Sequence, residues 1–303
     1  MSFLDRIREC NVHDLSGFRP FVVGDVRVGW VRPNFAERLA RFDRVFEVAE
    51  TRVKLVDSLD GFEARSNAVD GVLRQLRADG DFPAWRDEPY PVANGFSSPP
   101  LLRMERAAVP RFGVRAYGVH MNGFVREPDG LHMWIGRRSR DKPTYPGMLD
   151  NMVAGGQPLG LSLAKNLAKE CDEEAGIPAD LAARAVSVGA ITYCAATPDG
   201  LKPDVLFCYD LELPADFTPR NRDGELETFY LWPADRVAAI VRDTTEFKFN
   251  CNLVIIDFLI RHGLIPPEHP DYLDLVRGLR ATLCVCEVTG GPEWPHPPRR
   301  GAI

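Results

Sequence analysis

Apolar and polar positions alternate along "DVRVGWV" (25–31), and a period of two predicts a half-buried strand. The period lengthens to three or four in "NFAERLARFDRVFEV", which predicts a helix with Asn34 as its N-cap. A further helix is expected over "RSNAVDGVLRQLRADG", stopped by Gly80. "PYPVANGFSSPPLL", from Pro89 to Leu102, breaks the pattern and reads as a loop that closes an N-terminal region. Beyond it, "VRAYGVHMNGFV" and "LHMWIGRR" are strands about the turn "REPDG", and "TYPGMLDNMVAGG" is extended. A helix then runs from Ser162, an N-cap, to Gly176 in the C′ position, and Pro178 opens a short one. "VSVGAITYCAA" and "DVLFCYDLEL" are strands joined by "TPDGLKP", followed by the strand "GELETFYLW". "PADRVAAIVRD" and a mostly buried "NCNLVIIDFLIRHG" complete the helices, and "TGGPEWPHPPRRGAI" reads as a loose tail. Strands and helices interleave with several hairpins, so the expected class is a mixed α/β or α+β sandwich.

Charge narrows the partners. A net charge of −6 with no basic, aromatic-interleaved stripe gives no case for nucleic acid or an anionic membrane. No apolar run approaches the roughly 18 residues of a spanning helix, and "MSFLDRIREC" lacks a basic-then-apolar leader, so a cytoplasmic chain is expected. Seven scattered cysteines without a C-x-x-C pair suit neither a disulfide framework nor a zinc site. Cys284 and Cys286 alternate as strand packing would require.

The stretch "GGQPLGLSLAKNLAKECDEEAGIP" carries the candidate chemistry. Its helix places Glu170, Asp172, Glu173 and Glu174 near the C-terminus, where negative charge opposes the helix dipole. With Leu163 set at zero, Leu167, Cys171, Ala164, Ala175 and Ala168 fall within about 140° as an apolar stripe. Lys165, Lys169 and Asp172 face water, while Glu170, Glu173 and Glu174 line one border of the stripe. Partly desolvated like charges call for neutralisation, and an oxygen-only donor set suits Mg²⁺ or Mn²⁺ rather than zinc. Upstream, Gly155, Gly156 and Gly160 form a loop that lets backbone approach a ligand closely.

Loop and helix together resemble the Nudix box, G-x5-E-x7-R-E-U-x-E-E-x-G-U with U a bulky apolar residue. Gly155 opens the motif, and Glu170, Cys171, Glu173, Glu174, Gly176 and Ile177 follow without a gap. Leu161 stands where the early Glu is usual, and Lys169 where Arg is usual. "ERAAVPRFGVRAYGVHMNGFV", "RSRDKPTYPGMLDNMVAGG" and "NCNLVIIDFLIRHG" are similar to one Nudix subfamily, which carries an extra N-terminal domain and in some proteins is fused to thiamine pyrophosphokinase. "GWVRPNFAERL", "WRDEPYPV" and "PPLLRMERAAVP" are similar to that extra domain.

The resemblance implies a Nudix α/β/α sandwich with a mixed sheet, preceded by a smaller α+β domain. Residues 1–110 would form that domain and a candidate substrate-specificity element. Residues 111–265 would form the hydrolase domain, and 266–303 a C-terminal helix and Pro-rich tail. It implies metal-dependent hydrolysis of a diphosphate, with oxy- and oxothiamine diphosphates as substrates. Gly155, Glu170, Glu173 and Glu174 would hold Mg²⁺ or Mn²⁺. The base would be Glu170 or an acid of "RNRDGELETF", Glu225 or Glu227, and Lys169 is a further catalytic candidate. Arg137, Lys142 and Lys248 are candidate phosphate-binding cations; strand alternation turns one of Arg137 and Arg138 inward, and Arg137 is taken. His120 and Asn122 share a strand face and join the substrate-binding candidates, although a buried, hydrogen-bonded histidine is the plainer role for His120. Trp30, Trp85, Tyr90 and Phe96 are the aromatic candidates for ring recognition. The expected partner is a small diphosphate, with a homodimer also allowed. Competing assignments are another Nudix substrate such as ADP-ribose, a silent Nudix-fold binding module, and an isopentenyl diphosphate isomerase. The isomerase needs a site cysteine, which Cys194 and Cys208 do not supply in that context.

Overall fold

Hydrophobic alternation along the chain is realised as three sheets in a computed structural model that describes residues 1–281. The first elements are α1 (Phe3–Glu9), β1 (Arg19–Val23), β2 (Val26–Val31), α2 (Pro33–Leu39), β3 (Phe46–Val48), β4 (Val53–Leu55) and α3 (Gly61–Ala78). Next come β5 (Pro89–Val92), β6 (Leu102–Glu105), α4 (Val109–Phe112), β7 (Tyr117–Glu127), β8 (Gly130–Arg138), β9 (Leu149–Asn151) and β10 (Val153–Gly156). The remainder are α5 (Leu163–Ala175), α6 (Ala179–Ala182), β11 (Val186–Thr197), β12 (Gly200–Glu212), β13 (Leu226–Pro233), α7 (Ala234–Asp243), α8 (Cys251–Arg261) and α9 (Tyr272–Gly278). Cys284, Cys286 and the Pro-rich tail lie outside the described residues.

The main sheet runs β11-β12-β7-β8-β13, with β10 paired to β7 and β9 to β8. It is mixed: β12 and β7 are parallel, and the other pairs are antiparallel. Alternation on β7 decides which layer each residue meets. Val119, Met121 and Val125 join the core under α5, whereas Phe124 joins the core under α7 and α8. A helix layer therefore covers each face, giving an α/β/α sandwich. α8 is apolar nearly all round and is buried from Cys251 to Leu259.

A second sheet, β2-β1-β4-β3, and the β5–β6 hairpin share a separate core with α2 and α3, in which Phe21, Phe35, Phe46 and Phe112 interlock. This is a smaller α+β unit. Its edge in sequence is less simple than a cut at residue 110: Phe3, Ile7 and Cys10 of α1 pack in the sandwich core beside Leu275 and Leu279. Arg6 fixes that docking from a buried position, donating to the Val241 carbonyl at 2.9 Å.

Two local expectations are corrected. The helix expected over 34–48 stops at Leu39, and Phe46–Val48 pairs with β4 as a strand. Its N-cap is Arg32, with Pro33 at the first helical position, and not Asn34. The Pro-rich segment is also not wholly loop, because Pro89–Val92 and Leu102–Glu105 pair across it. Pro89 and Pro91 are tolerated there because the hairpin forms its own two-stranded sheet, with edges that need no donor. No helix among the described residues is long and apolar enough to cross a membrane.

Candidate active site

α5 starts where Ser162 Oγ accepts the Lys165 N–H and ends at Gly176, whose φ of 62° suits a residue without Cβ. Its buried arc is rotated relative to the expected stripe. Asn166, Leu167, Cys171, Glu174 and Ala175 are buried, while Ala164 faces water. The rotation grades the three glutamates from inside to outside: Glu174 is buried, the Glu170 side chain is 13% exposed, and that of Glu173 is 42% exposed. Glu174 Oε2 accepts the Ala154 N–H at 2.7 Å. Lys169 Nζ lies 3.3 Å from Glu170 and 2.7 Å from Glu173, and Arg222 pairs with Asp172. The Arg220 and Arg222 N–H groups donate to the last-turn carbonyls of Ala175 and Glu173. Acids at the unfavourable end of a helix are thus held by local cations and capped carbonyls.

Burial pushes the Glu174 carboxyl well above the ordinary range, against the Ala154 hydrogen bond and together with the charges of Glu170, Asp150 and Glu225. Burial raises Glu170 as well, against the charge of Lys169. Oxygen donors carrying surplus negative charge fit a hard divalent cation. Glu170, Glu173 and Glu174, with the Gly155 carbonyl, are the residues that could hold it. A side chain at Gly155 would run into the Glu170 carboxyl, and one at Gly156 would run into the Tyr90 hydroxyl. Glycine at 156 is therefore a packing requirement, whereas a side chain at 155 would force the Glu170 carboxyl to swing aside.

A cavity of about 490 Å³ opens beside these glycines, between the sandwich and the smaller unit. Gly155, His120, Lys142, Lys248 and Glu225 line it, as does Tyr90 among the aromatic candidates. Glu170, Glu173, Glu174 and Lys169 stand behind the glycines rather than on the cavity wall. Lys142 pairs with Glu225. Burial pushes the Glu225 carboxyl up, but Lys142, Arg106 and Arg138 outweigh it and hold it below the usual range.

Four sequence-derived placements differ in the structure. Arg138 lines the cavity, whereas Arg137 donates to the Gly147 carbonyl at 2.8 Å and to the Tyr230 hydroxyl away from it. Alternation gives opposite faces to the two arginines but not the absolute phase. Asn122 lies deeper, where its amide donates to Asp210 at 3.1 Å and its carbonyl accepts from Asn151. Glu227 is exposed and occupies a bulge, the register passing from Leu226↔Arg138 to Thr228↔Arg137 around it. Trp30, Trp85 and Phe96 do not line the cavity; Trp85 packs on Phe82 in the smaller unit.

Several wall residues were not anticipated: Arg106 from the smaller unit, and Tyr193, Lys202, Asp204 and Asn250 from the sandwich. Asp150 was missed too. Arg138 donates to it at 2.6 Å, Lys248 lies 3.6 Å away, and the Cys251 thiol donates at 2.7 Å. Burial pushes the Asp150 carboxyl up, yet Lys248 and Arg138 outweigh it and hold it at about 2. His120, Asp150 and Cys251 bring possible ligand atoms within 4.8 Å of one another. That trio is compatible with a metal by donor type. Its one carboxylate is already balanced by two cations, however, and burial pushes the Cys251 thiol well above its usual range. The glutamate set is the better fit.

Carboxylates behind a glycine turn, with lysines and an arginine on the wall of the adjoining cavity, describe a hydrolase of phosphoanhydride bonds. The chain belongs to the Nudix hydrolases, a family whose members generally use divalent metal ions. It is 46% identical over 294 residues to Nudix hydrolase 20, chloroplastic, of Arabidopsis thaliana, covering 93% of this chain and 78% of that one. Nudix hydrolase 24, chloroplastic, of the same plant is 47% identical over 286 residues, with the same coverages. A solved Nudix domain of Shewanella oneidensis NrtR, complexed with ADP ribose, aligns with a TM-score of 0.40 at 14% identity. That alignment covers 50% of this chain and 90% of that one. Residues 2–116 match a family model described as a domain of unknown function, DUF4743.

Proposed function

We propose that the chain hydrolyses oxy- and oxothiamine diphosphates to their monophosphates, with Mg²⁺ as the ion. The observation that carries this is the joint construction of the cavity. Tyr90 and Arg106 of the smaller unit sit against Gly156, and the Leu159 N–H donates to the Pro89 carbonyl at 2.9 Å. A unit docked on the glycine turn is placed to read the organic half of a substrate whose phosphates meet that turn. The sequence resemblance supplies the thiamine-type substrate.

In the proposed reaction Arg138, Lys142 and Lys248 face the phosphate oxygens and offset their charge. Water adds to the terminal phosphorus, the bridging P–O bond breaks, and monophosphate and orthophosphate leave. Glu225, on the cavity wall, takes the proton from the attacking water and returns it to the leaving phosphate. Glu170, Glu173, Glu174 and Gly155 would hold Mg²⁺, which when bound supplies further charge neutralisation and acidifies water.

Phosphate release in Mg²⁺ is the test, with oxothiamine diphosphate, oxythiamine diphosphate and ADP-ribose compared by kcat/KM. The thiamine analogues are expected to lead. Turnover of ADP-ribose with neither thiamine analogue cleaved would overturn the substrate while leaving the hydrolase chemistry standing.

A further inference from the structure

The cavity has a second polar end that phosphate chemistry does not use. There Asp204 is 7% exposed on β12, with the Tyr193 hydroxyl donating to its Oδ2 at 2.8 Å and Lys202 Nζ at 3.0 Å from the same oxygen. Asn250 donates to the Tyr193 hydroxyl at 3.3 Å, which fixes the tyrosine in turn. Oδ1 of Asp204 has no hydrogen-bond partner among the described residues. The residue is buried as a whole, but this oxygen is not among the atoms sealed from solvent, and it is open toward the cavity. Asp204 lines the cavity, and its charge acts on both His120 and Tyr90, which belong to different units. The position therefore faces the cavity and is not a surface corner.

We infer that Asp204 Oδ1 is the acceptor for an amino group on the heteroaromatic ring of the substrate. Lys202 already offsets the charge of this carboxylate, so the free oxygen suits a neutral N–H donor better than a second cation. The neighbouring wall is aromatic. Phe249 also lines the cavity and packs edge-on against Tyr193 at 5.6 Å, offering a planar ring an apolar surface beside the acceptor. The ligand class is thus an amino-substituted nitrogen heterocycle carrying a diphosphate, its ring at Asp204 and its phosphates at the cationic end. This inference rests on the hydrolase assignment of the same cavity, and it deepens that assignment by naming what selects the ring.

The test compares substrates that differ only at the amino group. Thiamine diphosphate keeps the aminopyrimidine, and oxythiamine diphosphate has the same thiazolium and diphosphate with a carbonyl in place of the amino group. Wild-type protein is expected to show the lower KM for the amino form relative to the oxo form. Asp204→Asn, which preserves shape but puts a donor where an acceptor stood, should erase about tenfold or more of that preference, with kcat changed less than about threefold. If neither thiamine analogue is cleaved and ADP-ribose is, the thiamine assignment fails separately. The same comparison is then made between ADP-ribose and its deaminated hypoxanthine counterpart. Melting temperatures report whether Asp204→Asn folds. Should it not, Tyr193→Phe removes the bond that orients the carboxylate and should lower the same ratio several-fold. An amino-to-oxo KM ratio that either folded variant leaves unchanged overturns the inference.

Discussion

His120 should make the protein acid-sensitive in a defined way. Its ring is buried at the cavity floor, and Nδ1 lies 2.9 Å from Asn151 Oδ1. That contact places the proton on Nδ1 and leaves Nε2 to take a second one. Burial pushes the imidazole down from 6.5 to about 4, with the nearby Lys248 ammonium in the same direction and Asp150 opposing. The folded pKa lies below the unfolded one, so the native state resists protonation. Stability is complete above pH 6.5 and is lost as pH falls toward 4. At 1.36 kcal/mol per unit the loss is about 2.5 kcal/mol near pH 4.5, with a ceiling of about 3.4 kcal/mol at lower pH. Urea unfolding of wild type and His120→Gln at pH 7.5 and 4.5 isolates the effect, because other titrating groups are common to both. The stability gap between them should shift by about 2.5 kcal/mol in favour of the variant at the acid pH. A gap that stays constant refutes the claim that this ring is kept neutral by burial.

Three further outcomes follow from the same geometry. Gly155→Ala drives a methyl into the Glu170 carboxyl and displaces it, and should cost most of the hydrolytic rate in phosphate-release assays while unfolding shifts by about 1 kcal/mol or less. Arg138→Ala strips a buried partner from Asp150 and should destabilise by about 3 kcal/mol, while Arg137→Ala stays within about 1 kcal/mol; chemical denaturation distinguishes them. Glu225→Gln should lower kcat at least about a hundredfold, whereas the exposed Glu227→Gln should leave it unchanged in the same assay.

Local patterns carried the sandwich a long way. Ser162 and Gly176 bound α5 because each cap has its own chemistry, a side-chain acceptor at one end and a left-handed backbone at the other. β7, β8, β11, β12 and β13 fall where alternation places them. The same rules failed at 34–48, where Phe35, Ala36 and Leu39 satisfy a helical period and the stretch that follows, through Phe46, satisfies it too. The tertiary pairing of Phe46 with Leu55 takes the second group into a sheet, an outcome that no local preference encodes.

The site shows the limit more sharply. Spacing alone put Glu170, Glu173 and Glu174 on one border, but their inequality arises from β10, which turns Glu174 into an acceptor for Ala154 and leaves Glu173 at the water's edge beside Lys169. Arg138 and Arg137 exchange places because parity on a strand has no sign until a neighbouring strand supplies one. Tyr90 and Arg106 belong to a unit with its own core, so only docking brings them to Gly156. Asp204 had a readable signal: in "DVLFCYD" it shares its parity with Leu206 and Cys208, both of which face the core. An acid with inward parity within a strand must be compensated, and the sequence offers Lys202 two residues away, on the same face. That pairing accounts for one oxygen of the carboxylate and leaves the other for a ligand.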